Sequence, residues 1–176
     1  METSNTAQEE LVDVIDEEGS ILKVVTKSEA HQQGLLHTTV ISEVIDSEGR
    51  WLLVKQSNDR QDAGQYVSPV GGHVSSGETE VDALKRESEE EIGLTGDFKY
   101  ELVGKKVFNR HVLGRQENHL FAVYKIHSNL KPVLNHEADS WEYLTEEELK
   151  SKLKESPTSF GDPFHFIIRT FFSHLA

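Results

Sequence analysis

The chain has 176 residues, a formal net charge of −13 and no cysteine. This length is sufficient for one domain with a substantial core, and the negative charge disfavours binding to duplex nucleic acid, whose phosphates require a Lys/Arg surface. The absence of cysteine excludes disulfides, thiolate metal sites and a cysteine nucleophile, and with no long apolar stretch or export signal we expect a cytoplasmic protein without a membrane span.

The N-terminal part of the chain is predicted to be a tail followed by a β-hairpin. Residues 1–10 are mostly polar, so we expect a flexible tail before a single domain over residues 11–176. Apolar and polar residues alternate on either side of Glu18-Gly19, which is typical of a hairpin. Gly34 can close a helical turn after this hairpin. Residues 11–34 are therefore predicted to be a hairpin extension of the domain.

The middle of the chain is predicted to contain a second hairpin, a loop and a charged helix. The composition of paired strands is found in LLHTTVISEVID and RWLLVKQS. Residues 58–65 are predicted to form a polar loop, which is followed by a short strand over YVSPVGG. From Glu78 to about Glu91, apolar positions recur three and four residues apart. This spacing predicts a helix with one thin stripe facing the core.

The C-terminal part is predicted to contain further strands and two helices. FKYELVGKKVF and ENHLFAVYKI have strand composition and are separated by a predicted loop, NRHVLGRQ. A helix is expected to begin near Thr145 with a capping box, and a final apolar-faced helix has Pro163 in its first turn. Strand-rich segments with interspersed helices predict a mixed α/β (α+β) domain.

The charged helix concentrates carboxylates on one face. Glu87, Glu90 and Glu91 lie at i, i+3 and i+4, where like charges repel one another. Such a face is usually only solvated, but hard divalent cations such as Mg²⁺ or Mn²⁺ prefer oxygen ligands of this kind. Arg86 can hold one carboxylate in position, and Glu78 can approach the same ion from the start of the helix. The helix is therefore a candidate metal site.

The residues around this helix resemble the Nudix pattern, a long gapped motif over residues 72–94. The positions that carry the resemblance are Gly72, Glu78, Arg86, Glu87, Glu90, Glu91 and Gly93. A match of this length is far more specific than a short glycine motif. One position departs from the pattern, since Ser88 stands where the family normally has an apolar residue.

The resemblance implies an α/β/α sandwich whose Nudix box binds Mg²⁺, with Mn²⁺ as a substitute. It implies that Glu87, Glu90 and Glu91 are metal ligands, that Glu78 is an auxiliary ligand and that Arg86 orients them. Family members mostly hydrolyse a nucleoside diphosphate linked to another group, and metal ions suit this chemistry by neutralising the diphosphate and activating water. Glu87, Glu90 or the more distant Glu137 can be the general base; for Glu137 a solvated loop acid is an equal alternative.

A second resemblance extends over most of the chain, to the branch that contains the type I isopentenyl-diphosphate isomerases. In those enzymes histidines and two strand glutamates bind a metal, and a cysteine performs proton chemistry. The corresponding positions here are His31, His37, His73 and Glu117, with His119 where the second glutamate would be, which implies a candidate second metal site; for a single histidine, a surface or core-edge role is the commoner alternative. Gly71 occupies the cysteine position, so the resemblance favours a hydrolase over an isomerase.

Substrate contacts are expected from residues on predicted loops. Arg60, Arg110 and Arg115 can bind phosphate oxygens, with Gly72 beside them, and the aromatic candidates for stacking on a base are Phe108, Tyr66 and Trp51. The expected partner is a small diphosphate molecule, and the expected assembly is a monomer or homodimer. The alternatives to hydrolysis are an isomerase-like enzyme and a Nudix module that binds a nucleotide without cleaving it.

Overall fold

A computed structural model describes residues 8–176; the first seven residues of the predicted tail lie outside this range. The strands are β1 (Leu11–Ile15), β2 (Ile21–Thr26), β3 (His37–Ile45), β4 (Trp51–Gln56), β5 (Tyr66–Val67), β6 (Val70–His73), β7 (Lys99–Val112), β8 (Arg115–His127) and β9 (Ala138–Leu144). The α-helices are α1 (Lys27–Gln33), α2 (Glu80–Ile92), α3 (Glu146–Glu155) and α4 (Asp162–Phe171). Within residues 8–176, no helix has the length and hydrophobicity that a membrane span requires.

The centre of the fold is a mixed sheet around β3. This strand pairs in parallel with β8 and antiparallel with β6, while β7 pairs antiparallel with β8. Alternate residues of β3 enter two separate cores, as expected for a strand buried on both faces. Val40 and Val44 pack on the side of α2, whereas Ile41 and Ile45 pack on the side of α3 and α4. The predicted α/β/α sandwich is therefore confirmed.

Two smaller units complete the architecture. Strand β4 pairs antiparallel with β5 and β9, and the β1–β2 hairpin joins the sheet through a contact between Val14 and His37. The predicted hairpin over residues 11–26 is thus confirmed, as is the closure of α1 by Gly34, which has a φ of 65°. The capping box of α3 is also present, because Thr145 and Glu148 each accept the other's backbone N–H.

The prediction of a loop over NRHVLGRQ is wrong. Its residues continue β7 and β8, which are joined only by Leu113 and Gly114, with φ values of 50° and 73°. Two consecutive residues of positive φ are the connection that suits the twist of a hairpin. The ion pair between Arg110 and Glu117, which face each other across the two strands, stabilises this extension. As a result, Arg110 and Arg115 lie on strands and not on loops.

Candidate active site

Helix α2 has well-defined ends that fix the direction of its side chains. Thr79 caps its N-terminus by accepting the Asp82 N–H at 3.1 Å, and Gly93 ends it in a left-handed conformation, as predicted. Ser88, the position that departs from the Nudix pattern, is fully buried and its hydroxyl donates to the Leu84 carbonyl at 2.6 Å. The buried hydroxyl is therefore satisfied within the helix, so the departure leaves the charged face intact.

Arg86 organises the acidic face of α2. Its guanidinium donates to both oxygens of Glu78 at 2.9 and 3.0 Å, to Glu87 Oε1 at 2.6 Å and to the His73 carbonyl at 3.0 Å. Its Nη1 also lies 3.7 Å from Glu90 Oε2. Because five donors in a fixed plane reach several acceptors at once, one arginine holds the start and the middle of the box together.

The carboxylates differ in their surroundings. The Glu90 side chain is 56% exposed, whereas that of Glu87 is only 13% exposed, and Glu91 accepts the Gly71 N–H at 2.7 Å. Burial raises the pKa of Glu87 to about 7, against the opposing effect of Arg86. Burial also raises the pKa of Glu91. Partly desolvated carboxylates with raised pKa values are the groups that gain most from a bound cation.

Gly72 lies directly against this face. A Cβ atom built at Gly72 would be 2.0 Å from Glu87 Oε1, whereas one at the neighbouring Gly71 would meet nothing closer than 3.8 Å. The missing side chain at position 72 therefore leaves the space that the Glu87 carboxylate occupies. This contact is a second role for Gly72 beside the predicted contact with substrate.

Glu137, the distant candidate base, lies next to the box. It precedes β9 and lines the same cleft as Glu91, and its negative charge adds to the burial that raises the pKa of Glu91. Its Oε1 accepts from Arg60 Nη2 at 2.9 Å. The fold therefore brings together two glutamates that are 46 positions apart in the sequence and provides one arginine to offset their charge.

Four histidines converge beside the acidic helix. His31 comes from α1, His37 from β3, His73 from β6 and His119 from β8, and their ring centroids lie 4.6 to 5.4 Å apart. The Nε2 atom of His31 is 3.2 Å from the Nε2 atoms of both His73 and His119. Among residues 8–176, these histidines are the group of potential metal ligands whose donor atoms all lie within 4.8 Å of one another.

The chemistry of the four histidines fits a metal ion. Burial lowers the pKa of all four, to about 4 for His31 and about 3 for His119, so the rings are neutral near pH 7. His37 Nδ1 lies 2.8 Å from the Leu35 carbonyl, and its buried Nε2 has no hydrogen-bond partner among the described residues. When one ring nitrogen of a neutral histidine donates to a backbone carbonyl, the lone pair of the other nitrogen is free to bind a metal.

Glu117 does not join this group. Its carboxylate accepts from Arg110 Nε and Arg115 Nη2, each at 2.8 Å, and from Gln61 at 3.3 Å. Although burial alone would raise the pKa of Glu117, the two arginines lower it to about 2. Arg110 also binds Asp62 through two hydrogen bonds. Asp62 and Gln61 could not be predicted as site residues, because a polar loop has no periodicity that singles out one residue.

One cleft of about 430 Å³ is lined by Glu87, Glu90 and Glu91 and by three of the four histidines, His31, His73 and His119. Its walls include Gly72, Glu137 and the three predicted arginines, together with apolar residues such as Ile41 and Val54. The predicted stacking residues lie elsewhere. Trp51 is 1% exposed in the core, Phe108 stacks on Phe121, and the Tyr66 ring is covered by lysine ammonium groups.

Comparisons with known proteins agree with this architecture. A model of the NUDIX domain matches residues 35–162. The chain is 27% identical over 155 residues to an isopentenyl-diphosphate Delta-isomerase of Serratia proteamaculans, covering 86% of each chain. It is 29% identical over 157 residues to an uncharacterized Nudix hydrolase of Streptomyces coelicolor, covering 85% of this chain and 82% of that protein.

Solved structures share the fold at low sequence identity. The DR0079 protein of Deinococcus radiodurans superposes with a TM-score of 0.73 at 20% identity and covers 92% of this chain and 99% of its own. A MutT protein of Methanosarcina mazei gives a TM-score of 0.62 at 20% identity over 80% of this chain and 92% of its own.

Proposed function

The chain belongs to the Nudix family, in the branch that resembles the isopentenyl-diphosphate isomerases, and we propose that it is a pyrophosphohydrolase. The proposed reaction cleaves a diphosphate linkage in a nucleotide or related small phosphorylated metabolite. The proposed cofactor is Mg²⁺, with Mn²⁺ as a substitute. The observation that carries this proposal is the complete set of box carboxylates: Arg86 holds Glu78 and Glu87, and Glu87, Glu90 and Glu91 line the cleft. A module that only bound a nucleotide would have no need of this complete set.

Each residue of the box has a distinct part in the proposed reaction. Glu87, Glu90 and Glu91 would hold Mg²⁺, with Glu78 as the auxiliary ligand, and Arg86 keeps Glu78 and Glu87 aligned. A bound ion would neutralise the diphosphate and lower the pKa of the attacking water. Glu137 accepts the proton of that water, because the other acidic residues near the reacting phosphorus are committed as ligands.

The arginines that line the cleft differ in how free they are to bind the phosphate oxygens of the substrate. Arg115 is the best placed, since its side chain is 34% exposed and pairs with one carboxylate. Arg110 is 13% exposed and already paired with both Asp62 and Glu117. We therefore assign Arg110 the task of fixing the loop over residues 57–65 to β7, and Arg115 the direct contact with substrate.

The four histidines are the proposed second metal site. His31, His37, His73 and His119 offer four neutral nitrogens, and such a set suits a borderline transition metal ion better than Mg²⁺. Glu117 is left out of this ligand set because Arg110 and Arg115 occupy both of its oxygens. The two proposed sites would therefore prefer different ions, one bound by oxygen and one by nitrogen.

The isomerase is the alternative within the same branch, and its cysteine position is Gly71. Since the sequence contains no thiol, the proton chemistry of that reaction lacks its usual group. The proposed setting is the cytoplasm, where the protein acts as a monomer or homodimer on small molecules.

One experiment tests the proposed function directly. Nucleoside diphosphate derivatives, nucleotide sugars, dinucleoside polyphosphates and prenyl diphosphates are incubated with the protein and Mg²⁺, and release of phosphate-containing products is measured. The proposal expects hydrolysis of at least one class and loss of that activity when EDTA removes the metal. Interconversion of prenyl diphosphate isomers without hydrolysis of any compound would support the isomerase instead.

A further inference from the structure

The candidate base Glu137 is held by contacts that the acidic helix does not provide. Its carboxylate accepts from Arg60 Nη2 at 2.9 Å, and it lines the same cleft as Glu91. Two ionised carboxylates in one cleft repel each other, and Glu137 precedes β9 and is not inside a strand. A cation beside Glu137 therefore stabilises its carboxylate in the cleft that it shares with the box.

Arg60 supplies this cation and faces Glu137. Its Nη2 donates to Glu137 Oε1 at 2.9 Å and lies 2.9 Å from His136 Nε2. Its Nε is buried and has no hydrogen-bond partner among the described residues, so the stem of the side chain is enclosed. The contacts that are shown for the guanidinium are thus made to the segment that carries the candidate base.

The backbone connects the same two segments. The Ser57 N–H donates to the Glu137 carbonyl at 2.9 Å, the Ser57 hydroxyl donates to the His136 carbonyl at 2.8 Å, and the Arg60 N–H donates to the Ser57 carbonyl at 3.1 Å. Any displacement of the start of the loop therefore moves residues 136 and 137 with it. These hydrogen bonds fix the backbone of Arg60 relative to Glu137, so the Arg60 side chain can orient the Glu137 carboxylate.

We propose that Arg60 is a positioning residue for Glu137 and not a ligand of the substrate. This inference differs from the sequence-based expectation, which placed Arg60 with Arg110 and Arg115 as a phosphate contact. Its kinetic consequences rest on the proposed hydrolysis, whereas its structural consequence does not. Loss of Arg60 leaves the substrate contacts in place but allows Glu137 to turn away from the attacked phosphorus.

A double-mutant cycle separates the two roles. Arg60→Ala should lower kcat about a hundredfold with little change in KM, since a displaced general base loses most of its contribution. Arg60→Lys should recover much of the loss, because an ammonium group keeps the charge beside Glu137. In a Glu137→Gln background, Arg60→Ala should change kcat less than about twofold, because residues that act through one another are not additive. Arg50→Ala, a charge-matched control outside the cleft, should leave both constants unchanged.

A crystal structure of Arg60→Ala provides a measurement that needs no substrate. We expect the Glu137 carboxylate to have turned away from Glu91 while α2 keeps its position. A mutant that keeps Glu137 in place, or one that raises KM equally in both backgrounds with kcat intact, would overturn the inference and return Arg60 to the substrate. Absence of any hydrolysis by the wild-type protein would instead count against the proposed function, and the crystallographic result would still decide the role of Arg60.

Discussion

The two adjacent glycines of β6 offer a matched test of the acidic helix. Gly72→Ala and Gly71→Ala add the same methyl group to neighbouring positions of one strand. Neither glycine is among the residues with positive φ, so alanine is compatible with the backbone at both. Both variants also gain the same small stabilisation from a less flexible unfolded chain, about 0.4–1 kcal/mol. The difference between them therefore isolates the contact with Glu87.

The structure gives the size of the expected effect. A Cβ at Gly72 would lie 2.0 Å from Glu87 Oε1, and Cβ contacts under 3.0 Å are essentially never observed, so the carboxylate must withdraw by at least 1.0 Å. Glu87 is a flexible side chain, so the fold should survive, but the 2.6 Å bond to Arg86 would be lost. A misplacement of about 1 Å in an active site costs about a hundredfold in rate. At Gly71 the closest contact would be 3.8 Å, and no such loss is expected.

Three measurements check this expectation. Calorimetric titration should show that Gly72→Ala binds Mn²⁺ at α2 at least about tenfold more weakly than Gly71→Ala, which corresponds to about 1.4 kcal/mol. Turnover on the best substrate should fall about a hundredfold, while the midpoint of thermal unfolding changes by only a few degrees. If Gly72→Ala retained the metal affinity and turnover of Gly71→Ala, the reasoning that assigns Glu87 to the ion would be refuted.

Three further predictions concern the reaction and the core. Glu90→Gln should lower kcat about a thousandfold with Mg²⁺ saturating, whereas Arg115→Ala should mainly raise KM. Steady-state kinetics on one substrate separates the two effects. An unchanged kcat for Glu90→Gln would indicate that the acidic face of α2 is only solvated. No isomerisation of isopentenyl diphosphate is expected, because Gly71 replaces the cysteine; a product in the isomer assay would contradict this. Burial raises the pKa of Glu43 from 4.5 to about 7. The protonated group therefore favours the folded state below about pH 4.5. This contribution to the free energy of unfolding, about 3 kcal/mol, is lost as the pH rises through about 7. Glu43→Gln should therefore flatten the decline in the free energy of unfolding between about pH 5 and pH 8, which urea denaturation at each pH measures.

Features that depend on neighbouring residues could be predicted from the sequence. The bounds of α2, its end at Gly93 and the capping box at Thr145 follow from hydrogen bonds within a few residues, and the order of side chains along a helix is set by its pitch. The spacing of the Nudix box is local in the same sense. These patterns were sufficient to predict a mixed α/β (α+β) domain and to name the carboxylates of α2, and the resemblance to the Nudix family implied the sandwich.

The β7–β8 hairpin shows where local patterns mislead. Polar and charged residues over NRHVLGRQ are typical of a loop, but the pairing of Arg110 with Glu117 across the strands makes extended structure the more stable arrangement. A cross-strand ion pair depends on the register of two strands, and the register is fixed by the whole sheet. The error moved two candidate substrate residues from loops to strands.

The sequence by itself determined the kinds of chemical groups that this protein contains, among them a helix of carboxylates, several histidines and the three arginines predicted to bind phosphate. Only the tertiary structure decided which of these groups meet. Four separate elements bring the ring centroids of the four histidines to within 5.4 Å of one another. Arg60 contacts Glu137 although the two residues are 77 positions apart in the chain. Contacts of this kind form because the sheet and helices bury their apolar faces together, and the polar groups at the edges are then placed by a packing that no short stretch of sequence encodes.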